Sequence, residues 1–243
     1  MTALPVATAY TFEFVRRHLP KGARTILEVG CGNGELAAQL LQAGFGVVAL
    51  DSDEACVAKA QAAGVDARLA TWPAAMEARF DAVLFTRSLH HIAPLEDAIE
   101  AAVAVLEPGG RVIVEDFRIE LESRRTTAWF IGLMQMFNVA GLLADPTRFA
   151  ALIEKLDFGE HRHELHASDR MAEILGRHGP LHEEDAAYCF RYAEADIGEP
   201  LTEALRNYEL AMIAAGAIDA LGKRLVLTPL SSARGVASPN PPG

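Results

Sequence analysis

Residues 26–34 read Ile-Leu-Glu-Val-Gly-Cys-Gly-Asn-Gly, and the later run Val47-Val48-Ala49-Leu50 ends on Asp51. Glycines 30, 32 and 34 allow a sharp turn and a close backbone approach to a ligand, where a Cβ would collide. Asp51 sets a carboxylate where it can accept both hydroxyls of a ribose. Together they describe a nucleotide-type site at strand ends. The spacing narrows the ligand. A dinucleotide fingerprint needs G-x-G-x-x-G, and Glu35 stands where its third glycine belongs. Glu35, at the first helical turn, would face a pyrophosphate, and Glu28 adds another negative charge, so this compact acidic loop suits a ligand with a cationic amino group.

The elements that must position these groups follow from periodicity. An apolar run, the glycine turn, an amphipathic stretch with Leu36, Leu40 and Leu41, and a second apolar run make a βαβ unit. Along the chain the pattern predicts helices over 7–18, 35–43, 53–63, 95–106, 168–178 and 201–218. Strands are predicted over 24–29, 46–50, 65–69, 81–86, 111–116, 186–193 and 224–230. Short strands alternating with helices imply an α/β fold with a doubly wound, mostly parallel, seven-stranded sheet and right-handed crossovers. Residues 119–160 form a helical insertion too long for a plain connection. With Trp129, Phe130, Met134, Met136 and Phe137 it is either a helix packed on the sheet or a cap giving a substrate an adaptable apolar wall. A single domain over 1–230 and a disordered Ser-, Pro- and Gly-rich tail over 231–243 are expected.

Composition bounds the function. The formal net charge of −11 over 243 residues, with no basic run, argues against a nucleic-acid partner. Cys31, Cys56 and Cys189 are scattered with no C-x-x-C pair, which favours a reducing compartment over a disulfide frame or zinc site. The start of the chain lacks a signal-peptide layout. The most apolar stretch, 129–143, is too short for a bilayer and contains Gln135 and Asn138. A soluble cytoplasmic protein with no membrane partner is expected.

Both motifs resemble those of the class I S-adenosylmethionine-dependent methyltransferases, whose first motif is E/D-x-G-x-G-x-G and whose second strand ends on an acid. The resemblance continues in Phe80-Asp81-Ala82-Val83-Leu84-Phe85-Thr86, like the family's fourth strand, and in Arg87-Ser88-Leu89-His90-His91-Ile92, like its following loop. Leu106-Glu107-Pro108-Gly109-Gly110-Arg111-Val112-Ile113-Val114-Glu115-Asp116-Phe117 resembles its helix end, Pro-Gly-Gly turn and fifth strand. It covers roughly residues 24–117. It implies a last strand inserted antiparallel beside strand five, and in-line transfer of a methyl group from S-adenosyl-L-methionine to a small-molecule acceptor, leaving S-adenosyl-L-homocysteine.

The resemblance also implies a residue-level site. Glu28 orients the glycine loop or reaches the ligand's ammonium through water. Gly30, Cys31, Gly32 and Gly34 shape the loop around the methionine moiety. Asp51, with Ser52 beside it, takes the ribose; Ser52 or Asp53 fits better as a helix N-cap. The family often has an acid after strand three for the adenine amino group. Here Leu69-Ala70-Thr71-Trp72 has none, which leaves backbone groups, Thr71 or packing by Trp72. Thr86 and Arg87 adjoin the cofactor's amino-acid portion; Arg87 can instead pair with Glu115. On the acceptor side His90 and His91 are candidate bases or structural loop residues. Glu115 and Asp116 lie at the end of strand five, and Tyr188 and Tyr192 sit at even spacing on a predicted strand. His161, His163, Glu164 and His166 resemble a metal cluster, but no metal is expected. The alternatives are a nicotinamide enzyme on a similar fold and a methyltransferase-like binding module without chemistry.

Overall fold

The computed structural model describes residues 5–121, 123–147 and 165–230. Seven strands form one sheet in the order β3-β2-β1-β4-β5-β7-β6. They are β1 (Thr25–Val29), β2 (Gly46–Asp51), β3 (Asp66–Leu69), β4 (Phe80–Thr86), β5 (Leu106–Phe117), β6 (Leu181–Ala186) and β7 (Gly222–Leu227). All adjacent pairs are parallel except those of β7, which runs antiparallel to both β5 and β6. The central strands β1 and β4 are almost entirely buried, as continuous apolar runs under helices on both faces must be.

The helices are α1 (Val6–His18), α2 (Glu35–Gln42), α3 (Glu54–Ala62), α4 (Leu95–Ala104), α5 (Arg124–Val139), α6 (Ser168–Gly176), α7 (Phe190–Ile197) and α8 (Glu199–Ala214). Asp53 caps α3, accepting the amides of Ala55 and Cys56. Ser123 caps α5 through the Thr126 amide. One core lies beneath α4 and α6, with Leu27, Phe85, Ile99 and Met171 in it. A second on the opposite face takes Phe14, Leu40, Val57 and Ile113. A third is helical, formed by Val6, Phe130, Met134, Phe190, Ala193 and Leu205.

The expected strand over 186–193 is incorrect. The strand is Leu181–Ala186 and the helix α7 begins at Phe190. β6 is the sheet's edge strand and mostly exposed, so its Leu-His-Glu-Glu-Asp-Ala sequence carries charge where a buried strand would carry branched apolar residues. The apolar run after it is helical, burying Phe190, Ala193 and Ile197 at helical spacing. Tyr188 and Tyr192 therefore do not alternate along a strand; Tyr188 precedes α7 and Tyr192 lies within it. β5 starts earlier than predicted, and its Pro-Gly-Gly turn is absorbed as a register shift between Phe80↔Leu106 and Ala82↔Arg111. No helix among the described residues is long and apolar enough to cross a membrane. Much of the expected 119–160 insertion and the whole 231–243 tail lie outside the described residues.

Candidate active site

The strand order reverses its direction of growth between β1 and β4, which opens a crevice at their carboxyl ends. A cavity of about 310 Å³ occupies it. Its walls are Thr8 and Thr11 of α1, Glu28 of β1, loop residues 30–33, Glu35 and Leu36 of α2, Thr86 of β4, and Arg87. The 30–34 loop leaves β1 and is pinned by the Gly30 and Cys31 amides, which donate to the Leu50 carbonyl at 2.8 and 3.0 Å. Gly30 has φ +75°, and a Cβ there would lie 2.4 Å from that of Ser88. At Gly32, in contrast, a Cβ would enter open space, so the loop is tight where it packs and clear where it faces the cavity.

Glu28 is 1 % exposed. Its Oε1 accepts the Thr86 hydroxyl at 3.2 Å, while Oε2 has no partner within bonding distance. Burial pushes the carboxyl up to about 7, against the opposing pull of Thr86, Arg87 and the Ala37 amide. A buried acceptor with one empty oxygen, facing a cavity, fits a ligand bearing a cation. Asp51 is half-buried and accepts the Gly32 amide on Oδ2 at 2.7 Å and the Asp53 amide on Oδ1 at 2.9 Å. A carboxylate offers about four lone-pair sites, so two remain for hydroxyls. The donor set fits S-adenosylmethionine: carboxylates for ammonium and ribose, and a glycine loop open at Gly32.

Several expected residues lie elsewhere. Trp72 is buried in the core, its indole N–H donating to the Ala98 carbonyl at 3.0 Å and its ring edge-on to Phe85. It is part of the packing beneath α4 and not of the cavity wall. Thr71 and Ser52 are exposed and outside that wall. Gly34 closes against α3, where a Cβ would come 2.6 Å from that of Ala60. Arg87 does line the cavity, with a non-glycine φ of 61°, and its guanidinium is 3.5 Å from Glu115.

Glu115 is corrected outright as a catalytic candidate. It is 2 % exposed, and it accepts the Thr11 hydroxyl and Arg191 at 2.6 Å each on Oε1, with Arg224 at 2.6 Å on Oε2. Burial alone would raise its pKa, but Arg191, Arg224, Thr11 and Arg87 together hold it at about 2. Such a carboxylate is a structural tie and takes no proton near neutrality.

Its neighbour Asp116 is turned towards His90 instead. Asp116 is 1 % exposed, and its Oδ1 lies 2.7 Å from Nδ1 of His90 and accepts the Phe117 amide at 2.9 Å. A carboxylate on Nδ1 favours a proton there, which in the neutral ring puts the lone pair on Nε2. His90 sits in the 3-10 turn Leu89–His91 directly after β4, its ring 4.0 Å from that of exposed His91 and 4.7 Å from that of Phe117. Burial and the His90 ring lower the His91 pKa. Phe117 meets Tyr188 at 5.6 Å, and Tyr188 meets Tyr192 at 5.6 Å. His166 donates its amide to the His90 carbonyl at 3.0 Å, and its Nε2 is buried without a partner. His161, His163 and Glu164 lie outside the described residues. The sequence signal for the His90–Asp116 pair was two polar residues at adjacent parallel strand ends, and only the register of β4 against β5 joins them.

A sequence profile of a family described as a methyltransferase domain matches residues 7–159. An uncharacterised methyltransferase of Mycobacterium tuberculosis is 33 % identical over 105 residues, 41 % of this chain and 53 % of that protein. A ubiquinone biosynthesis O-methyltransferase of Methylobacterium nodulans is 37 % identical over 103 residues, 39 % of this chain and 41 % of that protein. The matched region thus spans about half the length of these relatives. The structure of an O-methyltransferase family protein from Burkholderia thailandensis superposes with a TM-score of 0.55 at 14 % identity, over 93 % of this chain and 57 % of that one, and shares the fold.

Proposed function

The chain belongs to the methyltransferase-domain family, and on that premise we propose that it transfers a methyl group from S-adenosylmethionine to a hydroxyl of a small molecule in the cytoplasm. The observation that carries the reading is the cavity at the ends of β1 and β4, lined by Glu28, whose buried Oε2 has no partner in the protein. When bound, the sulfonium supplies an electrophilic methyl group. The chain's own residues bind and orient. Glu28 accepts from the ammonium, Asp51 accepts from the ribose while bracing the loop through Gly32, and Thr8 and Thr11 close the cleft from α1.

The hydroxyl assignment rests on His90 and Asp116. A hydroxyl must lose its proton as it attacks, whereas an amine in its neutral form already presents a lone pair. With Nδ1 held by Asp116, His90 would take that proton on Nε2; its ring meets Phe117, which in turn meets Tyr188. The Methylobacterium nodulans relative carries O-methyltransferase in its name, which agrees with this chemistry.

The test is calorimetry with S-adenosylmethionine and S-adenosylhomocysteine without added metal, followed by methyl-transfer assays on a panel of phenols, catechols and matched anilines. Binding of both ligands and turnover confined to hydroxyl acceptors is the expected result. Absence of binding would remove the methyltransferase reading. Turnover confined to anilines would remove the hydroxyl assignment, and binding without turnover would point to a regulatory module.

A further inference from the structure

A second cluster of chemistry-bearing side chains lies away from the cleft, where α1 ends against the edge strand β6. His18 closes α1, and His182 and Glu184 sit on β6. One ligand atom from each of the three lies within 4.8 Å of the other two. The Glu184 Oε2 is 3.9 Å from His18 Nε2 and 3.7 Å from His182 Nε2, and the two imidazole rings are nearly parallel at 5.1 Å. A cavity of about 320 Å³ adjoins the histidines, leaving room for solvent ligands.

From this geometry we infer that His18, His182 and Glu184 bind a transition-metal dication of the Zn²⁺ or Co²⁺ type. Two imidazoles and a carboxylate are a borderline-soft donor set of the kind that holds such ions, with water in the remaining positions. Bonds of about 2.0–2.1 Å would require the three ligand atoms to converge by less than about an ångström each. Exposed His182 can make that adjustment by rotating. No metal was expected from the sequence, because His18 is distant along the chain from its two partners.

The positive charges nearby do not exclude the ion. Arg224 is buried, bonded to Glu115 and, through Nη1 at 3.3 Å, to the Glu184 Oε1, which leaves Oε2 as the oxygen facing the histidines; Arg111 donates to the His18 carbonyl. Arg17 competes directly: it is exposed, holds both Glu184 oxygens at 2.6 and 2.9 Å, and donates from Nε to His18 Nε2 at 3.3 Å. Metal binding must therefore displace Arg17, and a site of moderate affinity follows. The bound ion would join the end of α1, whose Thr8 and Thr11 wall the cleft, to the far edge of the sheet.

The experiment compares metal-stripped full-length protein with His182→Ala and Arg17→Ala by Zn²⁺ calorimetry, and by the visible absorption of added Co²⁺. The wild-type protein is expected to take up one more ion than His182→Ala, or to bind it at least about tenfold more tightly, with a matching rise in melting temperature. Arg17→Ala, which frees the Glu184 Oε2 and His18 Nε2, is expected to bind at least as tightly as wild type. Equal uptake by wild type and His182→Ala would overturn the proposal, since any ion then sits on other histidines. Weaker binding by Arg17→Ala would overturn the ligand role of Glu184.

Discussion

Glu28 and Glu115 are both glutamates near strand ends on neighbouring parts of one sheet, both buried, and they face opposite fates. Glu115 meets three guanidiniums and a hydroxyl, whereas Glu28 meets one hydroxyl and a cavity. The difference decides which one handles ligand. Glu28→Gln removes an acceptor for a cationic group and is expected to weaken S-adenosylmethionine binding by roughly ten- to a hundredfold, the loss of a charge-assisted bond of about 1.5–3 kcal/mol. Calorimetry measures it, and unchanged affinity would assign Glu28 to the loop's architecture alone. On the acceptor side, His90→Gln should lower turnover by about a hundredfold or more at unchanged cofactor affinity, as for a lost general base. Asp116→Asn should lower kcat with little change in KM, because it acts through the tautomer and orientation of His90. A rise in KM alone would place the pair in acceptor binding instead.

At the scale of elements, the βαβ unit and its glycine loop were legible because local pattern and tertiary role coincide there. Gly30, Gly32, Gly34 and Asp51 lie within a few turns of one another in sequence, and turn geometry dictates their types. The errors came where the partner is remote. Glu115 reads as an acceptor-pocket acid, with Arg87 as its one nearby partner, until Arg191 and Arg224, distant in sequence, are folded onto it. Trp72 reads as a group that can pack on adenine until α4 is laid over it. β6 was missed because an edge strand carries charges in place of a buried strand's apolar alternation, and α7 was misread because its apolar run is short enough to pass for a strand. The carboxylate of Glu209 on α8 shows what holds that misread segment. Fully buried, it accepts the amides of Tyr188, Cys189 and Phe190 at 2.7, 2.9 and 3.0 Å, capping the start of α7 from another helix. Glu209→Ala strands three buried donors and is expected to cost about 3 kcal/mol or more in urea unfolding. Glu209→Gln, which keeps an accepting oxygen, should cost less. Equal losses would mean that packing rather than the cap holds α7.

For the whole molecule, the two buried glutamates set opposite pH dependences. Glu115 has a folded pKa of about 2 against an ordinary 4.5, so its contribution is present above 4.5 and is lost as pH falls from there towards 2. That loss frees α1, α7 and β7 together, because Thr11, Arg191 and Arg224 all converge on it. Glu28 has a folded pKa of about 7, so the folded state holds a proton that the unfolded chain has released above 4.5. Its contribution therefore declines as pH rises from 4.5 to 7, by an amount on the order of 3 kcal/mol at most. The ligand-free protein is accordingly expected to be most stable in mildly acidic solution and to lose stability towards pH 8. Glu28→Gln should remove the decline on the alkaline side, making the ligand-free variant more stable than wild type at pH 8 even as it binds cofactor less well. S-adenosylmethionine, which supplies the missing cation to the ionised carboxylate, should raise the wild-type melting temperature more at pH 8 than at pH 5.5 and show no such difference in the variant. Melting curves across pH with and without cofactor measure all of this. A Glu28→Gln curve parallel to that of wild type would show that the ionisation of Glu28 is not what the binding cleft exploits.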